Sequence, residues 1–403
     1  MTNLDLGTML RAARDADPSA IPDLLRRASE QLSGTDIVVY LADFGRNTLE
    51  PLPDRGPHEE VPETELVISS VAGRAFEEQR VITTERATGS RVWVPIMEGS
   101  ECTGVLALSV PAISDEILDA CEDLGLLAGH LILNVDRSTD FYNLYRRRQA
   151  LSLAATMQWD LLPPLVMKSP AVAVAGLVEP AYDVGGDCFD YAVNDHVFNV
   201  AIFDALGHGV KSALLAALAV GSYRHDRREG RRLEHVHANL DAALASHFEE
   251  MAFVTGVLAQ LDLHTGLLTW TNAGHPRPLL IRGGRVVKVL SCPPTPPWGL
   301  MTRLAPAGRA TTLASEGLEP GDSVLFYTDG VTEAHRPGGD LFGLDRLSDL
   351  VGQQVAKGFP PETIVRRITR AVVEHHAEQL ADDATLVLVE WNGSSSETDP
   401  SAA

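Results

Sequence analysis

Aspartates placed at the ends of short apolar runs constrain the C-terminal half of this chain more than any other feature. Asp187 to Val193 and His196 to Asp204 have the β-branched and aromatic content of strands, with Asn194-Asp195 as a two-residue turn between them. Pairing Val193 with His196 sets Asp187 opposite Ile202. Asp204, two residues further on, then shares the face of Asp187 as a diagonal neighbour, roughly 7 to 8 Å away at the backbone. The same alternation turns Asp190 to the opposite face, and only a bulge would reverse that parity. Ser323 to Tyr327 is a third run, entering Thr328-Asp329-Gly330, and Asp382-Asp383-Ala384-Thr385 precedes a fourth, Leu386 to Glu390. Four carboxylate positions brought together with no Lys or Arg in their motifs would repel one another strongly. A hard divalent cation removes that conflict, and oxygen-only ligands favour magnesium or manganese over zinc.

Charge narrows the partners. The 33 Lys and Arg against 55 Asp and Glu give a formal net charge of −22 over 403 residues, with the acidity spread along the chain, which argues against nucleic acid or an anionic membrane surface. Cys102, Cys121, Cys188 and Cys292 never approach CxxC spacing, so neither a zinc site nor a disulfide framework is expected. The N-terminus lacks the basic start and apolar core of a signal peptide, and no apolar run reaches membrane-spanning length; a cytoplasmic, unanchored protein is the expectation.

Two domains are expected. In residues 1–135 a helical stretch at Pro22 to Leu32 precedes a strand at Thr35 to Ala42. An acidic, Pro-rich loop (Pro51 to Pro62) and a helix near Leu66 to Gln79 come next, then strands at Ser90 to Ile96 and Cys102 to Val110 and an amphipathic helix over Asp115 to Val135. This order of elements resembles a GAF domain, which implies a small α/β sensor. Residues 136–164 lack Gly and Pro until Pro163-Pro164, so the helix is expected to continue unbroken from Asp115 to Leu162 as a linker. Phe141, Leu144, Leu151, Ala155 and Leu162 could form the seam of a two-stranded coiled coil, interrupted by Arg148, or pack on their own domain. A homodimer through the sensor and this helix is one consequence. Residues 165–392 form the second domain, and residues 393–403 read as a disordered tail.

The series GGDCFD (185–190), FDALGHG (203–209), NAGHP (272–276), YTDG (327–330) and DDAT (382–385) resembles, in order and spacing, the metal-dependent type 2C (PPM) serine/threonine phosphatases of the bacterial SpoIIE-like and RsbU-like branch. MQWDLLPP (157–164) is similar to the entry of the catalytic domain in that branch. The resemblance implies an α+β chain in which a GAF-like α/β sensor and a helical linker precede an αββα phosphatase sandwich. It also implies a site in which Asp187 and Asp204 are the central catalytic and metal carboxylates, the carbonyl of Ala205 an adjoining ligand, and Asp329 and Asp382 the flanking carboxylates. Many relatives have glycine where Ala205 stands, a change that leaves a carbonyl ligand intact. Two Mn2+ or Mg2+ ions are implied, with a bridging water attacking a phosphoserine or phosphothreonine. The implied substrate is a phosphorylated anti-sigma factor antagonist in partner-switching signalling, and the helical element at MQWDLLPP is implied to take part in switching between inactive and active states.

Several readings compete. GGDCF also looks like the start of a diguanylate cyclase signature, but Cys188 stands where that signature has Glu, and YTDG and DDAT are left unexplained. Asp383 either shares the metal or caps the strand entry. His208 and His275 serve structural hydrogen bonds or proton transfer, and the NAGHP segment shapes a loop or touches substrate. Cys188 reads as a small core residue rather than a nucleophile, and Pro293 to Pro297 as a rigid loop rather than a partner ligand. A catalytically silent pseudophosphatase acting as a scaffold is the alternative to an enzyme.

Overall fold

Two units, residues 1–150 and 151–403, each gather their own contacts. The computed structural model describes residues 5–14, 16–53, 62–182, 185–248, 252–293, 295–304, 311–335, 339–376 and 382–393. Apart from residue 393, the expected tail lies outside the described residues, as does part of the Pro-rich loop after Pro51.

In unit 1 the chain runs α1 (Leu6–Arg14), α2 (Ile21–Glu30), β1 (Thr35–Ala42), β2 (Thr48–Pro51), β3 (Glu65–Leu66), α3 (Val71–Glu78), β4 (Ile82–Glu85), β5 (Ser90–Glu98), β6 (Glu101–Val110), α4 (Asp115–Asp136) and α5 (Phe141–Tyr145). The strands form one antiparallel sheet in the order β3-β2-β1-β6-β5-β4. Alternation along β1 sends Ile37, Val39 and Leu41 into a core with α1, α2, α4 and α5. Val38, Tyr40 and Ala42 go to the other face, which is covered by Ala72, Ala75 and Phe76 of α3.

The helix expected to run unbroken from Asp115 to Leu162 is three helices. Helix α4 stops at Asp136, where the Ser138 hydroxyl donates to the Val135 carbonyl at 3.0 Å and the Thr139 hydroxyl accepts from the Phe141 amide at 3.1 Å. Ser152 then caps a new helix, α6 (Leu153–Leu161), by accepting from the Ala155 amide at 3.0 Å. Lack of Gly and Pro does not make a helix continuous when Ser, Thr and Asp offer the backbone side-chain partners instead. The two ends of the stretch belong to different units. The Tyr142 hydroxyl donates to the Pro18 carbonyl at 2.7 Å in unit 1, whereas Trp159 donates through Nε1 to the Ala181 carbonyl at 2.8 Å in unit 2. A continuous coiled-coil seam over residues 136–162 is therefore excluded.

Unit 2 continues with β7 (Val166–Lys168), β8 (Val172–Glu179), β9 (Asp187–Asn194), β10 (Val197–Ala205), α7 (Val210–Arg228), α8 (Leu233–His247), β11 (Val254–Asp262), β12 (Leu267–Ala273), β13 (Leu279–Arg282) and β14 (Arg285–Val289). It ends with α9 (Met301–Leu304), β15 (Ala314–Gly317), β16 (Asp322–Tyr327), α10 (Asp329–Glu333), α11 (Gly343–Ala356), α12 (Pro361–His376) and β17 (Ala384–Trp391). Two antiparallel sheets result, in the orders β15-β12-β11-β10-β9 and β14-β13-β16-β17-β8-β7. Phe189, Val200, Ile202 and Val257 of the first sheet share a core with strands of the second. The opposite face of β10, Ala201, Phe203 and Ala205, packs with Leu215, Ala219 and Leu240 of α7 and α8. Leu347 of α11 and Ile364 and Ile368 of α12 join the core on the second sheet. Helix, sheet, sheet and helix stack as an αββα sandwich.

Candidate active site

The β9–β10 hairpin brings the first two carboxylates together, in a register two residues away from the expected one. The turn is Asp195-His196, with Asp195 in the left-handed region at φ 52°, so Asn194 rather than Val193 closes the ladder. Asp204 is consequently paired directly with Asp187, not diagonally. A shift of two keeps the parity, and both side chains share the inward face of Phe189 and Ile202, at the end of the cleft between the sheets.

The second sheet supplies the other two. Asp329 opens α10 immediately after β16, and Asp382 lies just before β17, the strand paired with β16. Close approach requires glycine twice. A Cβ on Gly330 would fall 2.0 Å from the Asp383 carbonyl oxygen, and one on Gly186 would fall 2.5 Å from the Ala205 carbonyl oxygen.

Hydroxyl groups face the central carboxylates. Asp187, 3% exposed, accepts from the Thr328 hydroxyl at 2.7 Å, and the same Thr328 oxygen accepts from the Thr385 amide at 2.9 Å. Asp204 accepts from the Thr255 hydroxyl at 3.2 Å. Asp383 Oδ2 accepts from the amides of Gly185, Gly186 and Asp187 at 2.6, 2.8 and 3.3 Å, so this carboxylate clamps the glycine turn. Gln158 of α6 donates to the backbone carbonyl of Asp187.

The electrostatics match a crowd of anions. Burial, then Asp204 and Asp383, hold the Asp187 carboxyl well above the ordinary carboxylate range. Asp204 is pushed up to about 7 by burial, then by Asp329 and Asp382, and Asp329 is raised by burial, then by Asp382. Burial raises Asp383 to about 6 against the pull of its three amides. Among the described residues no three His, Cys, Asp or Glu side chains converge closely enough to hold an ion as they stand. Mutual repulsion within an all-oxygen donor set nevertheless fits a hard divalent cation.

Other expected residues fall outside this group. Asp190, on the opposite face, is bound by Arg224 at 2.7 Å and Arg227 at 2.6 Å, and Arg224 also donates to the Leu161 carbonyl of α6 at 2.6 Å. His208 is exposed. Cys188 is buried against α7, where burial pushes its thiol up to about 12, out of range of a nucleophile at neutral pH. His275 is buried and pushed down to about 3, hence neutral, with Nδ1 2.8 Å from the Thr255 hydroxyl. In the segment Pro293 to Pro297, which is described except for residue 294, Thr295 donates to the Asn272 carbonyl at 2.6 Å. Thr255, Thr328 and Gln158 are the contributors that sequence reasoning missed. Thr328 adjoins Asp329 and could have been suspected, whereas Thr255 faces Asp204 only through the pairing of β10 with β11.

The αββα sandwich with strand-end carboxylates at its cleft defines a phosphatase domain of the metal-dependent PP2C class. Within that class the match is to Stage II sporulation protein E (SpoIIE), over residues 194–392, and the chain carries a SpoIIE-type PP2C phosphatase domain. The phosphoserine phosphatase RsbP of Bacillus subtilis (strain 168) is 25% identical over 249 residues, covering 60% of this chain and 58% of RsbP. The phosphoserine phosphatase RsbU of the same organism is 23% identical over 243 residues, covering 60% of this chain and 70% of RsbU. The SiaA-PP2C domain of Pseudomonas aeruginosa aligns with a TM-score of 0.48 at 20% identity, over 59% of this chain and 94% of that one. The chain thus spans little more than half the length of RsbP.

Proposed function

We propose that this chain is a metal-dependent protein phosphatase that removes phosphate from phosphoserine or phosphothreonine on a regulatory protein, an anti-sigma factor antagonist of a partner-switching system. The observation that carries this reading is the delivery of Asp187 and Asp204 from one sheet, and of Asp329 and Asp382 from the other, to one end of the cleft. Those four side chains and the Ala205 carbonyl would hold two Mn2+ or Mg2+ ions, which when bound supply an activated water and neutralise charge on the phosphoryl oxygens. Thr328 orients Asp187, Asp383 clamps the turn that delivers it, and Gly186 leaves the Ala205 carbonyl uncovered. The buried neutral His275 places no positive charge beside the carboxylates.

Unit 1, with one antiparallel sheet helical on both faces, supports a GAF-like sensor that regulates the phosphatase; a homodimer through this unit is part of the same proposal. Helix α6, joined to the site through Gln158, is the element that would pass its state on. The strongly acidic chain suits a cytoplasmic protein with no nucleic-acid partner, and among the described residues no helix is long and apolar enough to cross a membrane.

Incubating the purified chain with a phosphorylated antagonist from the same genome, with Mn2+ or with a chelator, tests the proposal. Release of phosphate from serine or threonine with Mn2+ alone is expected. Stable binding of the phosphoprotein without release would favour the scaffold reading.

A further inference from the structure

Among the described residues, the side chain that hydrogen-bonds Asp204 is a threonine hydroxyl rather than a base. That threonine sits in a built arrangement. Asp204 pairs with Thr255 across β10 and β11, and the Thr255 oxygen lies 3.2 Å from Asp204 Oδ2 and 2.8 Å from His275 Nδ1. A threonine hydroxyl carries one hydrogen, so when it donates to the carboxylate its oxygen must accept from Nδ1–H of the imidazole. His275, 7% exposed, is itself held. Its amide donates to Asn272 Oδ1 at 2.9 Å, and Asn272 Nδ2 donates back to the His275 carbonyl at 2.9 Å. Gly274, at φ 66° with Pro297 against it, makes the tight turn that folds the ring back over β11.

We propose that Thr255 and His275 are positioning residues that fix the rotamer of Asp204 and so set the affinity of that carboxylate for its metal, an inference that rests on Asp204 being a metal ligand. A carboxylate among like charges swings away from them unless something else fixes it. Thr255 is β-branched and stiff at χ1, and a ring protonated at Nδ1, with the Tyr327 backbone also facing it, leaves the single hydroxyl hydrogen to Oδ2. The NAGHP turn thereby acts on the metal site from one side chain further out, touching neither metal nor substrate. Outer hydrogen-bond partners of this kind are worth roughly 10- to 100-fold in metal affinity.

Isothermal titration of Mn2+ into the full chain tests this without reference to turnover. Thr255→Val, which keeps the shape and removes the hydroxyl, is expected to raise the Mn2+ Kd by at least about 10-fold. Thr255→Ser should restore most of the affinity. His275→Leu should weaken binding in the wild-type background and have no added effect beside Thr255→Val, because it acts through that hydroxyl. His275→Asn, whose amide nitrogen can stand near the place of Nδ1, should recover part of the loss. Circular dichroism of each variant separates loss of fold from loss of affinity, and Thr255→Ser keeps the comparison open if His275→Leu does not fold. Wild-type affinity in Thr255→Val, or an equal His275→Leu penalty in both backgrounds, overturns the inference while leaving the phosphatase reading intact. A wild-type chain that binds no Mn2+ overturns both.

Discussion

Asp383 reaches across the cleft to Gly185: its Oδ2 accepts the Gly185 amide at 2.6 Å, although 198 residues separate the two in the chain. The Gly186 and Asp187 amides point at the same oxygen, so the turn that delivers Asp187 from one sheet is fastened to the lead-in of β17 in the other.

Removing that oxygen leaves buried donors unpaired. Asp383→Ala should cost on the order of 3 kcal/mol and lower phosphatase activity by displacing Asp187. Asp383→Asn keeps an acceptor and loses the repulsive charge, so it should be the more stable variant. Urea unfolding of both checks the order; equal midpoints would show that the clamp contributes nothing.

Stability and function should pull apart at Asp204. Its carboxyl is pushed up to about 7 by burial, then by Asp329 and Asp382, against about 4 in an unfolded chain. Between those values the unfolded state binds fewer protons, so stability falls as pH rises through the window and the full penalty, up to about 4 kcal/mol, is present above pH 7. In a chelator at pH 8, Asp204→Asn should therefore melt above the wild type, the gap closing as pH falls toward 4. Saturating Mn2+ should reverse the order, since only the wild type keeps its full set of ligands. Thermal unfolding in the two buffers reads this directly, and a wild type that melts higher in chelator contradicts it.

A second titration lies away from the carboxylates. His237 is fully buried, accepts from Trp298 Nε1 at 3.1 Å and stands 3.1 Å from the Met301 sulfur; burial pushes its ring down to about 4. Here the unfolded state binds the extra proton, so stability is lost as pH falls from about 6.5 toward 4, by about 2 kcal/mol between pH 7 and pH 5. His237→Asn, which keeps an acceptor for Trp298, should remove that part of the slope. Denaturant midpoints at the two pH values measure the difference, and identical pH dependence in the two proteins rules out His237 as its source.

Unit 2 has its own core, and α6 belongs to it. A fragment beginning at Leu151 should unfold cooperatively and keep a basal Mn2+-dependent rate. One beginning at Leu165 loses Gln158, Trp159 and the Leu161 carbonyl that Arg224 binds, and should be both less stable and less active. Equal melting temperatures and rates for the two fragments would exclude α6 as a support of the site.

The legible part of this molecule was whatever depends on parity and local sequence. Strand alternation placed Asp187 with Asp204 and turned Asp190 away even though the turn was set one residue early, because a register shift of two leaves every face unchanged. Contacts between strands distant in the chain were not legible. Thr255 lies 51 residues from Asp204, and nothing in the spacing tells which strand adds to the free edge of a hairpin. The supposed rod failed for a different reason. The expectation rested on the lack of Gly and Pro alone, whereas the hydroxyls of Ser138, Thr139 and Ser152 bond the backbone and end or begin helices.

The central claim is that Asp187, Asp204, Asp329 and Asp382 act together through a divalent cation on a phosphate ester. The most direct measurement is the initial rate of phosphate release from a phosphoserine peptide by the wild type, Asp204→Asn and Asp329→Asn, across a Mn2+ titration. The account predicts a wild-type rate that rises from zero with Mn2+, and a fall of at least about 100-fold in each variant, as expected when a shared metal site loses a ligand and a charge. A wild-type rate indifferent to Mn2+ and chelator, or variants as active as the wild type, would contradict it.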